Sequence, residues 1–105
     1  MKIYIAGRIT GNANYREEFD RAEREIRAVG DIPLNPAVLP DGLSPADYMR
    51  ICTAMLDSAD AIALLPSWAC SRGARIEMEL ACYTDKAFFP IDGADCLGGA
   101  DDGGK

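Results

Sequence analysis

The sequence predicts a single α/β domain: a parallel sheet of about four strands with helices on both faces. Three observations predict it. Four short runs, Lys2 to Ala6, Asp31 to Asn35, Ala61 to Leu65 and Ala87 to Pro90, are separated by three longer stretches of helical period. The first and third runs are apolar nearly throughout, as in strands buried on both faces. A chain of 105 residues has enough material for one core and not for two.

The elements follow in order. Ile3, Tyr4 and Ile5 are β-formers and make the first strand, which runs into Gly7-Arg8-Ile9-Thr10-Gly11-Asn12. Glycines at that place let backbone amides approach a ligand, but the loop is neither the dinucleotide fingerprint nor the common triphosphate loop. A ligand loop and an ordinary strand-to-helix turn both stay open. From Asn14 to Val29, the residues Tyr15, Phe19, Ala22, Ile26 and Val29 form one helical stripe. Asn14 is placed to cap this helix with Glu17 in capping-box position, and Gly30 ends it.

Ile32 and Leu34 mark a short second strand, and Pro33 assigns it to an edge. Asn35-Pro36 stops it at the same sheet end as Gly7. Ser44-Pro45-Ala46-Asp47 starts the second helix with a cap, a proline and an acid. That helix runs to about Ser58 and turns Tyr48, Ile51, Cys52 and Met55 inward. The third helix spans Ser71 to Asp85. The α/β domain is thus expected over residues 1–91. Residues 92–105 are rich in Gly and Asp and are expected as a flexible tail.

The order β-α-β-α-β-α-β implies right-handed crossovers and strand order 2-1-3-4, a flavodoxin-like, Rossmann-like arrangement. The switch point then lies between the first and third strands. Gly7 to Asn12, Asn35 and the start of the third helix meet there.

Composition narrows the chemistry. The net charge of −6 argues against nucleic acid or an anionic membrane as partner. There is no histidine, so acid-base work falls to carboxylates, Tyr, Cys or Lys. The four cysteines, Cys52, Cys70, Cys82 and Cys96, lack zinc or redox spacing and are expected as free thiols. No metal or cofactor is expected. No apolar run reaches membrane-spanning length, so the chain is expected to be soluble and cytoplasmic.

One residue stands out against this frame. On the third helix Glu77 shares its face with Gly73, Ala74, Leu80 and Ala81, the face that packs on the sheet. Glu79 shares its own face with Arg72, Arg75, Ile76 and Tyr83. A carboxylate directed at a core edge is costly unless something uses it. The plain alternative is a Glu that escapes to solvent at the helix start.

Ile3-Tyr4-Ile5-Ala6-Gly7, Asn14-Tyr15, Asn35-Pro36 and Ser71-Arg72-Gly73-Ala74-Arg75-Ile76-Glu77 together resemble the nucleoside 2-deoxyribosyltransferase superfamily, notably its short, often phage-encoded members. The resemblance implies that Glu77 is a nucleophile toward the anomeric carbon of a 2-deoxyribosyl group, through a glycosyl-enzyme. It implies that Tyr4 orients Glu77, although a plain core aromatic serves equally well as a reading of Tyr4. Ser71 stands where the related 2′-deoxynucleoside 5′-monophosphate N-glycosidases bind phosphate. The same likeness implies substrate contacts from Gly7, Arg8, Ile9, Thr10 and Gly11, and from Asn35, Arg72 and Gly73 around the crevice.

Two departures accompany it. Arg8 stands where the short members resemble Pro. Cys52 stands where the family places an Asp that assists the leaving base, and a thiol is a poor acid at neutral pH. The expected activity is cleavage or transfer at the N-glycosidic bond of deoxyribonucleosides or their 5′-monophosphates. A nucleotide-binding module with weak or no turnover is the alternative, and a small α/β protein that binds another protein is the third. The expected partner is a small nucleoside or nucleotide, with self-association into a homo-oligomer.

Overall fold

The computed structural model describes residues 1–91. Four strands, β1 (Lys2–Ala6), β2 (Ile32–Leu34), β3 (Ala61–Leu64) and β4 (Ala87–Pro90), form one sheet in the order β2-β1-β3-β4. Every pairing is parallel. Three helices connect them, α1 (Tyr15–Ala28), α2 (Pro45–Ser58) and α3 (Arg72–Tyr83). This is the α/β class and strand order that the sequence predicts. The expected tail, residues 92–105 with Cys96, lies outside the described residues.

The two faces of β1 explain the layering. Ile3 and Ile5 point to one face and pack with Phe19, Ala22 and Ile26 of α1 and with Ala61 and Ala63 of β3. Tyr4 and Ala6 point to the other, with Ile62, Leu64, Cys52 and Leu56, and Ala74 and Ala81 of α3. A strand apolar at every position thus serves two cores at once. Tyr4 lies in register between Leu34 and Ile62, near the middle of the sheet.

The helix ends depart from expectation in places. Asn14 makes no side-chain cap on α1. Asn12 intervenes instead, its Oδ1 accepting from the Asn14 amide at 3.2 Å, so the chain enters the helix through a turn. Val29 is 73% exposed, because it falls past the last helical residue and leaves the stripe. On α2 the buried residues are Cys52 and Leu56, while Ile51 is 38% exposed. The helix is rotated so that Cys52 lies at the centre of its inner face. Its start is as read: Ser44 and Asp47 form a reciprocal capping box.

Two loops adopt short 3₁₀ turns, Pro36–Val38 and Pro66–Cys70. Among the described residues Cys52 and Cys82 are free thiols. No helix among the described residues is long and apolar enough to cross a membrane.

Candidate functional site

A cavity of about 430 Å³ opens at the carboxyl ends of the strands. Its position follows from the strand order, since the connections from β1 and β3 leave in opposite directions there. The β1–α1 loop contributes Gly7, Arg8, Ile9 and Thr10. The first turns of α2 contribute Pro45, Tyr48 and Met49, and Cys52 follows one turn on. The start of α3 contributes Ser71, Arg72, Gly73, Ala74 and Glu77, and Tyr4 reaches in from the sheet.

Tyr4 and Glu77 are the buried polar pair of this cavity. The Tyr4 hydroxyl donates to Glu77 Oε2 at 2.9 Å. Both side chains are nearly excluded from solvent, Tyr4 at 1% and Glu77 at 6% exposure. Glu77 is on the buried face of α3 with Ala74 and Ala81, whereas Glu79 is exposed. Burial pushes the Glu77 carboxyl up to about 7, and the Tyr4 hydrogen bond offsets part of that rise. Glu77 is the sixth residue of α3, beyond the first turn where the helix dipole favours a carboxylate, so desolvation prevails. Burial and the neighbouring Glu77 charge also raise the Tyr4 phenol well above its ordinary value.

The Cys52 thiol lies in the same buried cluster as Tyr4, lines the same cavity and is only 3% exposed. Burial pushes it up to about 11, so it is a neutral thiol at physiological pH. Tyr4, Glu77 and Cys52 thus form a compact polar floor under walls that include Pro36, Met49 and Tyr48.

The loop above this floor is braced from outside the cavity. The Arg8 amide donates to Ser67 Oγ at 3.0 Å, and Ser67 in turn donates to Glu18 Oε1 at 3.0 Å. Asn12 Nδ2 donates to Arg8 O and to Glu18 Oε1. A Cβ on Gly7 would stand 2.7 Å from Leu65 Cδ1 and 3.1 Å from Ser67 Oγ, so a side chain there would force Leu65 to shift. Among the described residues, the amides of Ile9, Thr10 and Gly11 have no backbone acceptor. These amides, in a loop that also carries Arg8, are available to an outside acceptor. Ser71 Oγ caps α3 by accepting from the Ala74 amide at 3.1 Å, which leaves its O–H free to donate.

Two sequence-derived candidates fall outside this cavity. Asn35 is buried, but its Oδ1 accepts from the Ala37 amide at 2.8 Å and its Nδ2 donates to Glu23 Oε1 at 3.0 Å. It shapes the turn that presents Pro36, and its polar atoms are engaged there. Gly11 lines a separate groove and adopts φ +79°, which a side chain would strain. Pro36, Pro45, Tyr48, Met49 and Ser67 were not among the candidates. For Pro45, Tyr48 and Met49 the signal was present, because they share the helical face of Cys52. For Ser67 no sequence signal existed.

A family model described as a domain of unknown function, DUF4406, matches residues 1–89. The chain belongs to that family. The match takes in β1 through most of β4, and with them every residue of the cavity. No curated protein matches the chain. Among the described residues of this DUF4406 domain, no group of His, Cys, Asp and Glu is placed to hold a metal ion.

Proposed function

We propose that this protein acts on the N-glycosidic bond of 2′-deoxyribonucleosides or their 5′-monophosphates, with Glu77 as nucleophile. The observation that carries the reading is the buried Tyr4–Glu77 hydrogen bond at the floor of a cavity at the strand ends. A carboxylate near 7 is ionised in a large share of molecules at neutral pH. Its Oε1 is not engaged by Tyr4, which holds Oε2. That oxygen attacks the anomeric carbon, the carbon–nitrogen bond breaks, and its electron pair leaves with the base. Water or a second base then attacks the same carbon and restores the carboxylate, the two-step logic of retaining glycosidases. The free amides of Ile9 and Thr10, the Ser71 hydroxyl, Arg8 and Arg72 suit a 5′-phosphate at the cavity mouth.

The departing base needs a proton, and here Cys52 favours a second reading. A thiol near 11 supplies protons poorly at neutral pH. A nucleotide-binding module with slow turnover keeps every other feature of the cavity. Both readings include a cytoplasmic homo-oligomer.

The deciding experiment incubates native protein, Cys52→Asp and Glu77→Gln with deoxynucleosides and their monophosphates and measures free base by chromatography. We expect slow release by native protein and none by Glu77→Gln. Cys52→Asp should be faster, since a general acid contributes about a hundred- to ten-thousand-fold. Melting curves accompany each variant, because a new Asp on a buried face costs stability. Native turnover on the order of ten per second would remove the binding-module reading. Silence from all three with nucleotide bound would remove the enzyme reading.

A further inference from the structure

A second, larger groove of about 650 Å³ lies beside the first turns of α1. Its charged lining is Arg8, Arg21 and Arg24 against Glu17 and Glu18. Glu18 is already engaged by Ser67 and Asn12. The three arginines make no ion pair among the described residues, although Arg16, Arg27 and Arg50 all do. Arg21 and Arg24 are one turn apart on α1, three residues apart, and so face the same side. The groove also meets the N-terminus of α1, where Asn14 provides no side-chain cap, although the Tyr15 amide already donates to Asn12 O at 3.3 Å.

Arg8 lines both this groove and the cavity of Tyr4 and Glu77. Its guanidinium is folded back over its own loop. Nε donates to Thr10 O at 3.1 Å, and Nη2 occupies the space above Gly11, 2.9 Å from where a Cβ would be. Gly11 therefore serves the site by leaving room for Arg8. Arg8 makes the boundary between the two hollows a cationic one, so an anionic chain can pass from one to the other over it.

We propose that the natural ligand carries a chain of phosphates, as in a nucleoside 5′-di- or triphosphate, with its outer phosphates in the groove of Arg8, Arg21 and Arg24. This rests on the reading of the Gly7–Gly11 loop as the seat of the first phosphate. Each further phosphate meets arginines that otherwise lack a carboxylate partner, and the interaction is the charge-assisted, forked kind that guanidinium makes with phosphate. Glu17 and Glu18 are the opposing charges in the groove, and the three cations exceed them by one.

The test is calorimetric titration of the full chain with deoxynucleosides, their monophosphates and their triphosphates, and with inorganic tripolyphosphate, in magnesium-free buffer. The triphosphates should bind about tenfold or more tighter than the monophosphates, the scale of one hydrogen bond to a charged group. The double variant Arg21→Gln, Arg24→Gln should lose that gain while keeping monophosphate affinity. Arg27→Gln removes one charge from α1 outside the groove, as each single variant Arg21→Gln or Arg24→Gln does inside it, and should keep the gain. Equal affinity for mono- and triphosphate overturns the inference alone and leaves the monophosphate reading standing. A gain that survives the double variant also overturns it. Binding of tripolyphosphate without binding of any nucleotide overturns both the inference and the nucleotide reading.

Discussion

Glu77 is nearly buried and is held by a single phenol, and its stability effect has a definite sign. Its carboxyl titrates near 4.5 when unfolded and about 7 when folded. The folded state therefore holds the proton more tightly, and stability falls as pH rises from about 4.5 through about 7, then levels off. The loss amounts to roughly 3 kcal/mol for a shift of this size. Glu77→Gln, which cannot ionise, should melt higher than native protein at pH 8 and nearly with it at pH 4. Parallel melting curves at the two pH values check this, and an equal difference at both would refute the assignment. Tyr4→Phe acts on the same proton. Removal of the hydrogen bond that offsets burial should move the Glu77 titration above about 7. Carboxyl-carbon NMR reads the midpoint directly, without reliance on activity. A native midpoint near the ordinary carboxylate value would overturn the account.

At the scale of elements, the β1–α1 loop and the start of α3 form the cavity mouth, and their glycines differ in what they tolerate. A Cβ on Gly7 would crowd the side chain of Leu65, which is wholly buried, so Gly7→Ala must displace that side chain or the loop itself. Overpacking of this kind costs about 1–3 kcal/mol. We expect a lowered melting temperature together with lost anion binding. Gly73 is different: a Cβ there meets nothing nearer than Met49 Cε at 3.5 Å. Gly73→Ala should gain up to about 1 kcal/mol from helix propensity while narrowing the cavity. Melting and nucleotide titration of the two variants, measured together, separate loop geometry from cavity space. A Gly73→Ala protein that is destabilised would show that the helix start has less room than the structure gives it.

For the molecule as a whole, the open question is self-association. Tyr83 on α3 and Phe88 on β4 are 89% and 54% exposed, large side chains left open among the described residues. Among the described residues β4 is also an edge strand, with one side of its ladder unpaired. We expect light scattering to give the mass of a dimer or larger assembly, and the double variant Tyr83→Ser, Phe88→Ser to shift it toward one chain. A monomer at micromolar concentration would refute this.

Much of this organisation was legible in the residues. Period and strand composition fixed the strands, and the alternation of elements implied the parallel order, because right-handed crossovers leave few alternatives. Helical spacing alone separated Glu77 from Glu79, since residues three and four apart share a face. The same periodicity misplaced Ile51 and Val29. A stripe defines a direction around a helix, but its rotation and end depend on the sheet beneath. Only the tertiary structure could bring Ser67 and Glu18, 49 residues apart, together beneath the Arg8 amide. Only the tertiary structure could occupy Asn35 with a turn, place Arg8 between two hollows, and remove water from Glu77 until its proton is held near neutrality. The physical reason is one of range. Propensity and period act along a few residues, whereas desolvation and hydrogen bonding across the fold depend on which surfaces meet.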